Sequence, residues 1–302
     1  SHEGYSAKPM HSYWDDFFGL RGLKDAVFLA TFLGKDEEAK AWARIRDEFS
    51  ADVHASLRLV IERKGIDWLP GCAELGDFDA TSSTAALAPG GELARLPRAA
   101  VERTFAKYLE NVARREAGEG EIYTPYELRT VGSLVRLGRR DEALRLLDLF
   151  FRDLRPAEWN AWGEVVWRDP RTPKFLGDVP HTWVGSDFAR SFLDFFAYER
   201  EDDASLVVAA GIPESWVRSA RGVSVKGLRT PWGPLDLSLE ADGPALRARV
   251  SGLSAVPPGG VVLKAPIPSS PRTATVDGRA VALSPAGEVV VRELPAEVVL
   301  AP

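Results

Sequence analysis

Three indoles, a carboxylate and an imidazole crowd one irregular part of this chain. The stretch runs Trp159-Asn160-Ala161-Trp162-Gly163-Glu164-Val165-Val166 and resumes at Gly177-Asp178-Val179-Pro180-His181-Thr182-Trp183. It lies between two helical patterns, in the kind of loop where a fold presents side chains to a ligand. Aromatic faces with one acid suit a sugar. Indole rings cover the apolar C–H faces of a pyranose, and the acid polarises a water or a hydroxyl. In the competing structural reading, Trp159, Trp162 and Trp183 are core anchors and Glu164 is a solvated loop acid.

Other positions carry the same ambiguity. Asp15 and Asp16 follow Trp14 at the start of a helical pattern; successive side chains on a helix diverge by roughly 100°, so only one of the two can face a given pocket. Both also favour a helix N-terminus through its dipole. Asp77 and Asp79 flank Phe78 in a long glycine-rich stretch, Leu69 to Thr84, where they either bind sugar hydroxyls or cap a turn; such length in a compact domain favours a functional loop. Thr124-Pro125-Tyr126-Glu127 has the makings of a capping box, with Thr124 as N-cap, Pro125 at the first helical position and Glu127 reaching back. His181 is either pocket wall or helix cap. His54, in mid-helix, reads as a surface or packing residue.

The elements that must position these residues are helical first and β later. Phe17, Leu20, Leu23, Val27 and Ala30 mark a helix over residues 11 to 33, ended by Gly34. Ala39, Trp42, Ile45, Phe49 and Val53 mark its antiparallel partner over 36 to 63, across a short turn. A short helix is expected near Ala80 to Leu87. Further helices follow around Val101 to Val112, from Pro125 to Gly138, from Arg140 to Leu154, and from 183 to 200. The pattern changes near Asp202. Short β-prone runs then appear at Gly222 to Val225, Leu235 to Leu239, Leu246 to Val250, Val261 to Lys264, Thr273 to Val276, Val289 to Arg292 and Val298 to Leu300. Asp242-Gly243 and Asp277-Gly278 are hairpin signals. The expectation is a mainly α chain with a C-terminal all-β domain: helical hairpins over 1–203, then an antiparallel β-sandwich over 204–302.

Composition narrows the function. With 302 residues, 45% of them apolar, the chain can bury a sizeable core. A net charge of −6 argues against nucleic acid or an anionic membrane as the main partner, because phosphate binding needs clustered Lys and Arg. Cys72 is the single cysteine, so no intramolecular disulfide forms, and no Cys/His cluster offers a metal site; no cofactor is expected. No apolar run is long enough to span a membrane and no signal-peptide pattern opens the sequence. The first residues read like the middle of a loop, so sequence upstream of Ser1 is expected. The compartment is undetermined.

Two local patterns carry a resemblance. Tyr13-Trp14-Asp15-Asp16-Phe17-Phe18 resembles the Trp-Glu-Glu lead into a helix of glucoamylases, and Glu164 through Pro180-His181-Thr182-Trp183 resembles that family's second acid and its Pro-Leu-Thr-Trp lead into the last helix. Together with Ser1 to Asp16, Leu69 to Thr84, Tyr123 to Thr130 and Phe175 to Ser186, the chain resembles the six-hairpin (α/α)6 glycosidases, including large uncharacterised bacterial members. The resemblance implies an inverting glycoside hydrolase acting on an oligo- or polysaccharide without metal, with Asp15 as general acid and Glu164 as general base. Asp16 and Glu3 are rivals for the acid. It implies Trp14, Asp16, Asp77, Asp79, Tyr126, Glu127, Trp162, His181 and Trp183 as substrate contacts. A full toroid has twelve helices and only six or seven are expected here, so the remainder of the barrel belongs elsewhere and is itself an expected partner. An inverting phosphorylase on the same fold is the alternative, against which the acid-rich loops count. A non-catalytic scaffold is another, since Gly138-Arg139-Arg140-Asp141-Glu142-Ala143-Leu144 is similar to tetratricopeptide repeats, although no 34-residue period follows.

Overall fold

The computed structural model describes residues 8–119, 122–152, 154, 156–167, 177–264, 266 and 272–302. Its Cα framework divides into two compact units, one of residues 1–133 with 161–181 and one of 134–160 with 182–302.

The first unit is built on a helical hairpin, α1 (Tyr13–Phe32) and α2 (Asp36–Lys64). Gly34, at φ +67°, takes the left-handed position that ends α1 and turns the chain. The large apolar side chains buried in this pair lie in one half of it, and in the other half Ala30 is buried. Phe17 and Leu20 of α1 are buried, as are Val53, Leu57 and Val60 of α2. Trp42 and Ile45, placed by their spacing on the buried face, are instead exposed, together with Phe28, Leu29, Phe32 and Leu33. The apolar stripe therefore continues past the partner that covers it.

Three further helices belong wholly or partly to this unit: α3 (Ala80–Leu87), α4 (Arg98–Glu116) and α5 (Arg129–Arg136), whose last turns cross into the second unit. The strands β1 (Ile122–Tyr123) and β2 (Val166–Trp167) pair antiparallel, Tyr123 opposite Val166. His54 is buried. Its Nε2 lies 2.7 Å from Glu92 Oε2, Lys24 Nζ lies 2.6 Å from Glu92 Oε1, and Lys24 also donates to the Gly90 carbonyl at 2.7 Å. This charged cluster ties the segment after α3 to both helices of the hairpin.

The second unit contains α6 (Arg140–Arg152), α7 (Thr182–Leu193) and the β region. The helix expected over 183–200 stops at Leu193, because Ala197–Arg200 forms β3 and pairs antiparallel with β4 (Ser205–Val208), Tyr198 opposite Val207. Arg200 reaches Glu288 at 3.1 Å and Asp203 at 2.8 Å. Pairing and these ion pairs override the helical period of the Phe-rich run.

After the short helix α8 (Glu214–Val217) come β5 (Val223–Thr230), β6 (Gly233–Asp242), β7 (Ala245–Ser251), β8 (Val261–Lys264), β9 (Thr273–Val276), β10 (Arg279–Val281), β11 (Glu288–Val291) and β12 (Ala296–Ala301). Six of the strands form a sheet in the order β10-β9-β12-β7-β6-β5, and a second sheet runs β11-β8-β4-β3. Every pair is antiparallel except β4 with β8, a departure from a purely antiparallel sandwich. Burial alternates along β6, β7 and β12, so the larger sheet hides one face. Val276 faces Arg279 across Asp277 and Gly278, both at positive φ, a type I′ turn. Asp242 pairs with Ala245, which makes the turning pair Gly243-Pro244.

Candidate functional site

Within the first unit, the start of α1 is fixed by its neighbours. Tyr13 N donates to Gly71 O at 3.1 Å, Ser12 bridges Cys72, and the buried Tyr13 hydroxyl lies 2.7 Å from Ser56 Oγ. The first turn then presents Trp14 half-buried, Asp15 exposed and Asp16 half-buried. Burial lifts the Asp16 carboxyl above its ordinary range, the adjacent Asp15 charge adds to this, and His11 opposes it. The Asp16 shift is in the direction a general acid requires.

The carboxylates of the 69–79 loop hold neighbouring chain in place, Glu74 meeting His11 Nδ1 at 2.5 Å. Asp77 Oδ1 accepts from Cys72 N at 2.9 Å. Asp79 is the N-cap of α3, accepting from Ser82 N at 2.9 Å and from Ser82 Oγ at 2.6 Å. Gly71 is required where it stands, since a Cβ there would meet Asp77 Oδ2 at 2.8 Å and Asp79 Cβ at 2.9 Å. Lys107 Nζ sits 3.5 Å above the Trp68 ring and 4.6 Å from that of Phe78. Asp77 therefore braces the turn and Asp79 the start of α3.

The segment after β1 departs from a capping box. Thr124 Oγ1 does accept from Tyr126 N at 3.4 Å, but the Glu127 carboxylate turns inward. It takes two hydrogen bonds from Arg115, at 2.8 and 2.7 Å, and one from the Tyr108 hydroxyl at 2.7 Å. A guanidinium competes better for a carboxylate than a single backbone amide does. Glu127 is therefore an anchor that holds Tyr126 and Arg129 in place. The Arg129 guanidinium lies 4.4 Å from the Trp14 ring centre and 5.1 Å from that of Tyr126.

The Glu164 segment docks on this anchor. Thr124 Oγ1 donates to Glu164 O at 2.9 Å. Glu164 N donates to Asp178 O at 3.1 Å, Gly177 N to Val165 O at 2.9 Å, and His181 N to Trp162 O at 3.1 Å. Residues 162–165 and 177–181 are thereby laced together. Gly177 permits the close approach: a Cβ there would stand 3.0 Å from Glu164 Cβ and 3.1 Å from Val165 N. The Tyr126 and His181 rings meet edge to face at 5.3 Å, with the Tyr126 hydroxyl 3.2 Å from His181 Nε2. One ligand atom each of Glu164, Asp178 and His181 lies within 4.8 Å of the others.

A continuous series of contacts therefore runs from Trp14 through Arg129, Tyr126 and His181 to Glu164. It joins residues far apart in sequence, the first turn of α1 and the Glu164 loop among them. Trp162 is half-buried on that loop. Trp183 belongs to the second unit, exposed on the first turn of α7, and Trp159 is exposed in that unit as well. Glu3 lies outside the described residues. Sequence reasoning missed Arg129, Asp178 and Arg115. Asp178 stands three residues before His181, a spacing that alone could have marked it as part of the same cluster. No family model matches the chain, and no curated protein matches it.

Proposed function

We propose that the chain is part of a carbohydrate-active (α/α)6 enzyme that hydrolyses a glycosidic bond with inversion, Asp16 serving as general acid and Glu164 as general base. The observation that carries this reading is the run of contacts from Trp14 to Glu164 within one unit. It joins an indole, a guanidinium, a phenol and an imidazole to a carboxylate on a separate loop; Asp16, two residues after Trp14 on α1, has a raised affinity for its proton. In such a reaction Asp16 donates its proton to the departing glycosidic oxygen, while Glu164 removes a proton from the water that attacks the anomeric carbon from the opposite side. Trp162, half-buried on the Glu164 loop, is placed to contact a sugar ring. Arg129, lodged between Trp14 and Tyr126, keeps both rings in orientation.

The exposed apolar face of α1 and α2 supports the toroid. Phe28 is 67% and Phe32 78% exposed, and their rings are stacked at 6.4 Å. Apolar surface of this extent marks a site of association, and a neighbouring hairpin of the ring would cover it. That neighbour is the remainder of the barrel.

Incubation with a panel of oligosaccharides, followed by proton NMR of the released anomers, tests the reaction. Cleavage with inverted configuration, abolished in Glu164→Gln and Asp16→Asn while sugar binding persists, is the expected result. Unchanged cleavage in both variants refutes the assignment.

A further inference from the structure

The carboxylates of Glu164 and Asp178 converge with the His181 imidazole, their ligand atoms within 4.8 Å of one another. Among the described residues neither carboxylate is paired with a Lys or Arg side chain. Two anions at this range repel unless something positive lies between them. The imidazole adds a second signal. His181 Nδ1 is buried and has no hydrogen-bond partner among the described residues, whereas Nε2 lies 3.2 Å from the Tyr126 hydroxyl. If Nε2 carries the proton and donates it to the phenol oxygen, Nδ1 is left with a bare lone pair. That is the state in which a histidine ligates a metal, its other ring N–H held by an outer partner.

From this geometry we infer that Glu164, Asp178 and His181 form a binding site for a divalent transition ion of zinc's class. Two carboxylate oxygens and one imidazole nitrogen make a mixed hard and borderline donor set, which suits Zn²⁺ or Mn²⁺ better than Ca²⁺, whose sites are made of oxygens alone. Three protein ligands leave coordination positions for water. The backbone is braced for the purpose: Glu164 N to Asp178 O and His181 N to Trp162 O lock the two ligand-bearing strands of chain together, and Gly177 lets them approach. Tyr126, fixed through Thr124 and through the Glu127 anchor on the next residue, is the positioning residue that sets the imidazole tautomer.

The inference shares Glu164 with the hydrolase proposed above, and metal binding, read without any sugar, tests it apart from that reading. The test is calorimetric titration of the full chain with Zn²⁺ after chelator treatment, repeated with His181→Ala, Asp178→Asn and Tyr126→Phe, the fold of each checked by circular dichroism. One Zn²⁺ per chain is expected, weakened more than about 100-fold by loss of either ligand and about 10-fold or more in Tyr126→Phe. Equimolar Ca²⁺ should not displace it. His11→Ala, a change at the separate His11–Glu74 contact, should bind as the wild type does. Absence of saturable binding, or binding that the ligand variants leave intact, overturns the site; displacement by equimolar Ca²⁺ overturns the assigned ion class.

Discussion

Replacing Glu92 by Gln should unfold the helical unit far more easily than any surface change. Glu92 is 2% exposed and its two oxygens are taken by Lys24 and His54. Burial alone would raise its carboxyl, but the hydrogen bonds and charges of His54 and Lys24 outweigh it and hold the group down at about 2, against an ordinary 4.5. A carboxyl whose affinity for protons is lowered in the folded state adds stability above its unfolded value, and that stability is lost as pH falls through the folded one. The window therefore runs from about pH 4.5 down to about pH 2. At roughly 1.4 kcal/mol for each tenfold difference in proton affinity, Glu92 contributes ~3 kcal/mol at neutral pH. Gln leaves Lys24 half-enclosed without its counter-charge, a loss of the same order. Urea titration at pH 7, followed through the fluorescence of Trp14, Trp42, Trp68 and Trp162, should show the unit weakened by ~3 kcal/mol, and the variant should lack the wild type's acid-side slope. A loss below ~1 kcal/mol, or an unchanged slope between pH 5 and pH 2, would refute the reasoning.

Glu127→Ala should cost about 1–3 kcal/mol, since the buried Tyr108 hydroxyl loses its acceptor and Arg115 its carboxylate partner; thermal melts measure it. Asp79→Ala should cost ~1 kcal/mol through loss of the α3 cap and leave sugar binding unaltered, whereas a fall in sugar affinity would restore Asp79 as a ligand contact. Asp16→Asn should raise stability at neutral pH while removing activity. Burial raises the folded carboxyl, so its charged form is penalised above that value and the penalty vanishes below the unfolded one; chemical denaturation at pH 7 and pH 3 checks the sign.

Sequence periodicity located the longer helices and seven of the eight strands from β5 to β12, most of which bury one face, as the alternating burial of β12 illustrates. It also found the Asp277-Gly278 turn, whose two positive φ angles only a few residue types tolerate. What it missed lacks a local signature. In β4, Ser205–Val208 is buried at every position, so no alternation announces a strand. Trp42 and Ile45 have the spacing of a core stripe, yet which part of a helix finds a partner depends on tertiary packing. Glu127 followed a capping pattern that Arg115 and Tyr108 overrode from another helix. The candidate site was legible in its residue types at Trp14, Glu164 and His181; the contacts through Arg129 and Tyr126 that link them required the fold.

The most direct test is a crystal structure of the chain with a bound oligosaccharide. The account predicts a sugar seated against Trp162, with the Asp16 and Glu164 carboxyl groups about 6.5–9.5 Å apart across the scissile bond. Carboxyl groups separated by more than about 15 Å, or divided by packed side chains, would contradict it, because no attacking water could then be shared between base and anomeric carbon.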